Sequence, residues 1–232
     1  MAVVGIIPAA GHATRLQPLP MSKEVLPIGG RPVIDYLIER MRAAPCSELR
    51  VVTRPDKEDV TRHAEQQGAV VVHATPESVS ESLLAGMRGL ADSDIVLFGF
   101  PDTIWEPVDG YRPLLEAITA GYEIALGLFR TDEPERSDVV RLDEAGLITG
   151  VEVKVPRPSS NRIWGCWAAR ARALHDVGSE REPGMYIDRY CRTHDVLGVW
   201  LSETWIDIGT KDVLRRLTGG HLPSAEWSRA DS

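Results

Sequence analysis

Residues 3–16 read Val3-Val4-Gly5-Ile6-Ile7-Pro8-Ala9-Ala10-Gly11-His12-Ala13-Thr14-Arg15-Leu16, an apolar run that passes into small residues and ends beside a cation. The span Val3–Pro8 predicts a buried strand. The small residues after it let backbone N–H groups approach a ligand closely, and successive amides form a concavity that holds anions. Arg15 can fork two phosphate oxygens, and Lys23 adds a compact second charge beyond Pro18 and Pro20. In a parallel sheet, ligands bind at the carboxyl ends of strands, which is where this loop falls. There is no Gly-Lys-Ser/Thr, and the dinucleotide pattern GxGxxG is absent. Taken alone, the stretch also fits an ordinary strand-to-helix loop with exposed cations.

Outward from this loop, short β-branched runs alternate with amphipathic stretches. Val33–Arg42 carries apolar residues at helical spacing, at Val33, Leu37, Ile38 and Met41. Strands are expected at 49–53, 69–73, 94–100 and 123–129, with helices at 57–66, 80–90 and 111–120. Strands separated by helices of this length imply right-handed crossovers and a mostly parallel sheet covered on both faces. After Arg130 the rhythm changes. Val139–Leu142, Leu147–Val153 and Arg162–Ala168 read as strands with only turns between them, which predicts a smaller antiparallel sheet laid over the end of the main one. A helix near 186–192, a strand at 196–201 and a helix at 211–217 follow.

With 232 residues, the chain is long enough for one well-buried α/β domain, and 43% hydrophobic with 26% charged residues is ordinary for a globular protein. A formal charge of −8 argues against a nucleic-acid binder with a general basic surface, though not against a local cationic pocket. Apolar runs are strand-sized, so no membrane span is expected. No signal peptide is legible, and the three cysteines lack CxxC spacing, which predicts reduced thiols, no zinc site and a cytoplasmic protein. The six histidines do not cluster, and His12 reads either as a phosphate contact or as loop surface.

Two aspartates stand out. Asp102 follows the most apolar strand, and Asp207 sits between apolar neighbours in Trp205-Ile206-Asp207-Ile208-Gly209-Thr210. Buried carboxylates need a cation or donors, and a pair of them near a triphosphate suits a hard Mg²⁺. Asp102 can equally be a turn residue, and Asp207 the N-cap of the last helix.

Ala9–Leu16, Lys23-Glu24-Val25-Leu26-Pro27-Ile28 and Arg31-Pro32-Val33-Ile34 together resemble the signature of the sugar-1-phosphate nucleotidyltransferases, the glucose-1-phosphate thymidylyl- and uridylyltransferases and their relatives. The Lys-Glu-Val-Leu-Pro form is most similar to the uridylyltransferase branch. Asp102 resembles the family's first metal-binding aspartate, and Trp205–Thr210 its W-x-D-x-G-T segment. Glu152–Pro156 and Asn161–Trp167 resemble its E-K-P segment and following strand. The resemblance runs from about Val3 to about Leu217.

The resemblance implies an α/β fold with a Rossmann-like, mostly parallel sheet, helices on both faces and a small antiparallel acceptor-binding sheet. It implies a single domain over 1–218, without the C-terminal β-helix of some relatives, and a flexible tail over 219–232. The implied activity is Mg²⁺-dependent transfer from a nucleoside triphosphate, UTP or dTTP favoured, to a sugar 1-phosphate with release of pyrophosphate. Arg15 would meet the departing pyrophosphate and Lys23 the α-phosphate. Ala9, Ala10, Gly11, His12, Ala13 and Thr14 would cradle the triphosphate, while Asp102 and Asp207 hold Mg²⁺. Ala10 and the Pro76–Glu81 loop, with Glu77 and Ser78, lie where the family reads the base. Lys154 would steady the acceptor phosphate, although it also reads as a solvated strand lysine. Asp138, Trp105 and Gly165 would complete the acceptor pocket. Partners are thus a nucleoside triphosphate and a small phosphorylated acceptor, with homo-oligomerisation left open.

Several positions depart from the pattern. Ala13 replaces the second glycine of G-x-G-T-R, which is tolerable if φ is negative. Ser78 stands where relatives often carry glycine, Ser137-Asp138 where they carry Tyr-Gly, and Trp167 where tyrosine is usual. Val153 replaces a glutamate that bonds sugar hydroxyls. These changes gather on the acceptor side, so another small phosphate or phosphonate competes with sugar 1-phosphate. A catalytically silent nucleotide-binding homologue is a rival that retention of all five charged residues disfavours. An α/β oxidoreductase is a second rival, and it lacks the dinucleotide glycines.

Overall fold

β1 (Val3–Pro8) has a hydrophobic side chain at nearly every position and is buried through its centre. This is the pattern of a strand covered on both faces. The computed structural model describes residues 1–219, so from residue 220 on the expected flexible tail lies outside the described residues. Two short strands, β2 (Pro27–Ile28) and β3 (Arg31–Pro32), pair after the long loop that follows β1 and lead into α1 (Ile34–Ala43). The alternation continues with β4 (Glu48–Thr53), α2 (Glu58–Gln66), β5 (Val70–His73), α3 (Val79–Met87) and β6 (Ile95–Gly99). β7 (Thr103–Trp105), α4 (Tyr111–Thr119) and β8 (Ile124–Arg130) come next. Then follow β9 (Asp138–Leu142), β10 (Ile148–Val153), β11 (Arg162–Arg170), α5 (Pro183–Tyr190), β12 (Val196–Ser202), β13 (Trp205–Asp207) and α6 (Lys211–Leu217).

The strands form one nine-stranded mixed sheet with the order β10-β9-β11-β6-β1-β4-β5, and β12 and β8 attach through β11. β1 runs parallel to β4 and β6, which brings the carboxyl ends of β1 and β6 side by side. Strand alternation then sorts the core into two layers. Ile7, Val51 and Leu97 pack with Leu37 of α1, Val60 of α2 and Leu114 of α4. Their neighbours Ile6, Val52 and Phe98 pack with Leu83 of α3 and Ile187 of α5 on the other face. The α/β arrangement is therefore as expected, with helices on both faces.

The antiparallel region differs in detail. β9, β10 and β11 extend the main sheet, because the nine-residue β11 pairs with β6, β8 and β9 at once. The separate small antiparallel sheets are the ribbons β7–β13 and β2–β3. Among the described residues, no helix is long and apolar enough to cross a membrane.

Candidate active site

The loop after β1 and the turn after β6 open on the same side of the sheet, over a cleft of about 570 Å³. Ala10, Gly11, His12, Ala13, Thr14 and Arg15 all line it. Ala9 does not. It is fully buried beneath the loop, and its N–H donates to Val52 O at 2.7 Å, continuing the β1–β4 ladder by one residue. A methyl group at Gly11 would meet nothing within 4 Å, so this glycine leaves open space above the loop. Ala13 has φ +50°, so the condition of a negative φ, under which its methyl group is tolerated, is not met. The alanine sits in the left-handed region that favours glycine.

Lys23 lies on a short 3-10 turn, and its Nζ contacts Asp102 Oδ2 at 2.5 Å. Burial alone would lower the Lys23 pKa, but Asp102, Glu24 and Asp207 outweigh it and hold the ammonium above its ordinary value. Asp102 follows the wholly buried β6 through Phe100 and Pro101. Its carbonyl accepts from Ile208 N at 2.9 Å, and β13 pairs Asp207 with Thr103 of β7. The small ribbon thus carries a residue from near the end of the chain to the turn after β6. Asp207 is not the cap of α6. That place belongs to Thr210, whose side chain accepts from Val213 N. Burial, reinforced by Asp102 and opposed by Lys23, pushes the Asp207 carboxyl up to about 7.

The end of the cleft where the acceptor is expected is built by β9, β10 and the segment before α5. Asp138 opens β9 opposite Val153, and Lys154 follows with φ +47° and an N–H that donates to Ser137 O at 3.2 Å. Lys154 Nζ pairs with Glu182 Oε1 at 2.8 Å, with both side chains partly exposed. Burial pushes Asp138 up to about 6, with Lys154 opposing and Glu182 adding to the shift. A methyl group at Gly184 would lie 2.2 Å from Asp138 Oδ2, so a side chain there would displace this carboxylate. At the far wall, Ser78 caps α3 by accepting from Glu81 N at 3.1 Å, while Glu77 N donates to Glu81 Oε2 at 2.7 Å. Both residues line the cleft.

Two expected acceptor contacts lie elsewhere. Trp105 is fully buried against Tyr111 and Phe129, because alternation along β7 turns it into the main core and turns Ile104 to the opposite side, against the small cluster around Leu16 and Leu214. Gly165 faces Trp205, whose ring a methyl group there would meet at 2.1 Å. It makes room for the ribbon and does not line the cleft.

Lys57 and Glu24 were not among the expected site residues. Lys57 Nζ donates to Ala9 O at 2.8 Å, Gly11 O at 3.0 Å and Glu24 Oε2 at 2.7 Å. The one local signal was Glu24 itself, an acid beside Val25 and Leu26. Nothing near Lys57 in sequence marks it, since its partners are 33 to 48 residues away.

Among the described residues, no three or more histidine, cysteine, aspartate or glutamate side chains cluster as a metal cage. The arrangement is instead a pair of carboxylates, one of them ion-paired with Lys23, in the same cleft as the loop after β1.

The chain is similar to several known proteins. A glucose-1-phosphate thymidylyltransferase from Neisseria gonorrhoeae is 23% identical over 236 residues, covering 90% of this chain and 79% of its own. A Sulfolobus acidocaldarius protein assigned as a mannose-1-phosphate guanyltransferase is 25% identical over 228 residues, covering 92% of this chain and 62% of its own. In fold, the chain superposes with a TM-score of 0.82 on a Bacillus anthracis protein assigned as a glucose-1-phosphate thymidylyltransferase and crystallised with sucrose. That pair is 20% identical, and the match covers 94% of both chains. Residues 5–147 match the MobA-like NTP transferase domain, and the chain belongs to that family of nucleotidyltransferases.

Proposed function

We propose that the protein transfers a nucleotidyl group, from UTP or dTTP by preference, to a sugar 1-phosphate and releases pyrophosphate. The observation that carries this reading is the meeting in one cleft of Arg15, Lys23, Asp102, Asp207 and Lys154, drawn from four separate parts of the chain. The attacking phosphate oxygen of the acceptor forms a bond to the α-phosphorus as the bond to the β-phosphate bridge breaks, and the electron pair leaves with pyrophosphate. The attacking group is already an anion, so no protein base is required. The chain's own work is alignment and neutralisation of charge.

In this reading the loop amides cradle the triphosphate and Arg15 neutralises the departing pyrophosphate. Lys23 takes charge at the α-phosphate, and Lys154 orients the acceptor phosphate. Glu77 and Ser78 border the base. The paired acids fit a magnesium ion, which uses one or two carboxylates and completes its shell with water and phosphate oxygens. Asp207 is pushed up to about 7 by burial and by Asp102, against the pull of Lys23 and Arg15, and among the described residues Lys23 is the cation paired with Asp102. Asp102 and Asp207 would hold the ion, which when bound supplies positive charge to the phosphate oxygens. The continuous sheet supports residues 1–218 as one catalytic unit. Asp138 and Val153 at the acceptor end also support a second reading, transfer to a non-sugar phosphate or phosphonate.

The test is pyrophosphate release with ATP, GTP, CTP, UTP or dTTP against sugar phosphates, phosphocholine and phosphonates. UTP or dTTP with a sugar 1-phosphate should give the strongest signal. A blank matrix with folded protein identifies a silent homologue. Asp102→Asn should abolish turnover with the fold intact, and near-normal turnover in it would refute the metal assignment.

A further inference from the structure

Lys57 stands at the threshold of α2, behind the phosphate loop, with its side chain only 13% exposed. An ammonium has three hydrogens, and Ala9 O, Gly11 O and Glu24 Oε2 account for all of them. Glu24 is fully buried, and burial raises its pKa against the pull of Lys57 and Lys23. A buried pair of this kind contributes little net stability, because desolvating both charges offsets their attraction. Its presence under a ligand loop calls for another reason.

The two carbonyls supply one. In a planar trans peptide, the C=O of one residue and the N–H of the next point in opposite directions. Carbonyls of Ala9 and Gly11 that turn back to Lys57 therefore send the amides of Ala10 and His12 forward, into the cleft. Neither amide donates to any acceptor among the described residues. The same helix reaches the far end of the loop. Asp59 accepts from Ser22 N at 2.7 Å and from Ser22 Oγ at 2.8 Å, so the residues on both sides of Lys23 are tied to α2.

We propose that Lys57 is a positioning residue for the triphosphate. Its ammonium holds the carbonyls of Ala9 and Gly11 at the back of the loop, the amides of Ala10 and His12 face the phosphates, and Glu24 anchors the ammonium. The inference rests on the nucleotidyl-transfer reading.

Lys57→Met alone strands a buried carboxylate and can fail to fold, so the deciding variant is the double substitution Glu24→Gln with Lys57→Met. It leaves no unpaired charge and keeps the net charge of the chain. A change in binding then cannot come from bulk electrostatic attraction. Full-length wild type and double variant are titrated calorimetrically with magnesium tripolyphosphate, and their kinetics are measured with the nucleotide and acceptor that release pyrophosphate. The double variant should bind tripolyphosphate about tenfold or more weakly, the loss expected when two charge-assisted hydrogen bonds to phosphate are misaligned. KM for the nucleotide should rise in step while KM for the acceptor stays unchanged, a split that a general loss of structure would not produce. A folded double variant that binds tripolyphosphate like wild type overturns the inference alone. A wild type that does not bind it overturns the nucleotidyl-transfer reading and this inference with it.

Discussion

Ala13 holds a left-handed φ of +50° in the middle of the phosphate loop. For an L-residue with a Cβ, that conformation costs ~1–2 kcal/mol, and glycine would relieve it at some cost in unfolded-chain entropy. Ala13→Gly should therefore raise the melting temperature by about 1–4 °C, as read by calorimetry, and an unchanged or lower value would show that the loop absorbs the methyl group without strain. Asp138 poses a question of charge. Its carboxyl is raised to about 6 in the fold, above its ordinary value, so the folded state binds the extra proton. Stability tied to this group is fully present below the ordinary carboxylate pKa and is lost as pH rises through about 6. Asp138→Asn removes the penalty. Its stability advantage over wild type should grow by about 1–2 kcal/mol between pH 5 and pH 8 in denaturant titrations. A pH-independent difference would mean that Asp138 ionises freely in the cleft.

At the scale of elements, the ribbon of β7 and β13 carries the geometry of the acidic pair. Its outer strand is seated by Trp205, whose ring lies 4.9 Å from Phe129 and fills the space over Gly165. Gly165→Ala places a methyl group in that ring, and overpacking of this sort costs ~1–3 kcal/mol. Because β13 must shift, Asp207 shifts with it. The expected result is a fall in kcat larger than the small loss of stability explains. A variant with wild-type kcat would separate the ribbon from the site. The helix after the ribbon is fastened by Thr210, and Thr210→Ala should cost ~1 kcal/mol in thermal or chemical unfolding by removing its cap.

Across the whole molecule, the cleft lies where two kinds of strand pairing meet. On one side β1, β4 and β6 are parallel, so their following loops collect at one end. On the other, β11 runs antiparallel to β6, which brings its first residues and the β9–β10 hairpin to that same end. A ligand that bridges both sides should stabilise the fold as a unit. With magnesium and a nucleotide at about 100 times its Kd, linkage gives ~2.7 kcal/mol, or roughly 5–10 °C in Tm for a chain of this size. Asp102→Asn should lose most of that shift. If the shift persists in that variant, the nucleotide is held without the acidic pair.

What the sequence determined by itself was local. The β-branched run of β1 and its small-residue loop, the periodicity of α1 and the apolar block of β6 each have a repeat or composition that one short window contains. The charged residues that match the family's ordered motifs were legible for the same reason. Tertiary structure decided whatever depends on partners far along the chain. Trp105 reads in sequence as a neighbour of Asp102, yet strand alternation buries it. The hairpin after Arg130 reads as a separate sheet, yet the length of β11 joins it to the main one. Lys57 carries no local mark because all three of its bonds are long-range. And the loop that opens at Ala9 reads as able to bind phosphate, while the direction in which its amides point is set by a lysine that precedes α2, since only packing brings that ammonium behind the loop.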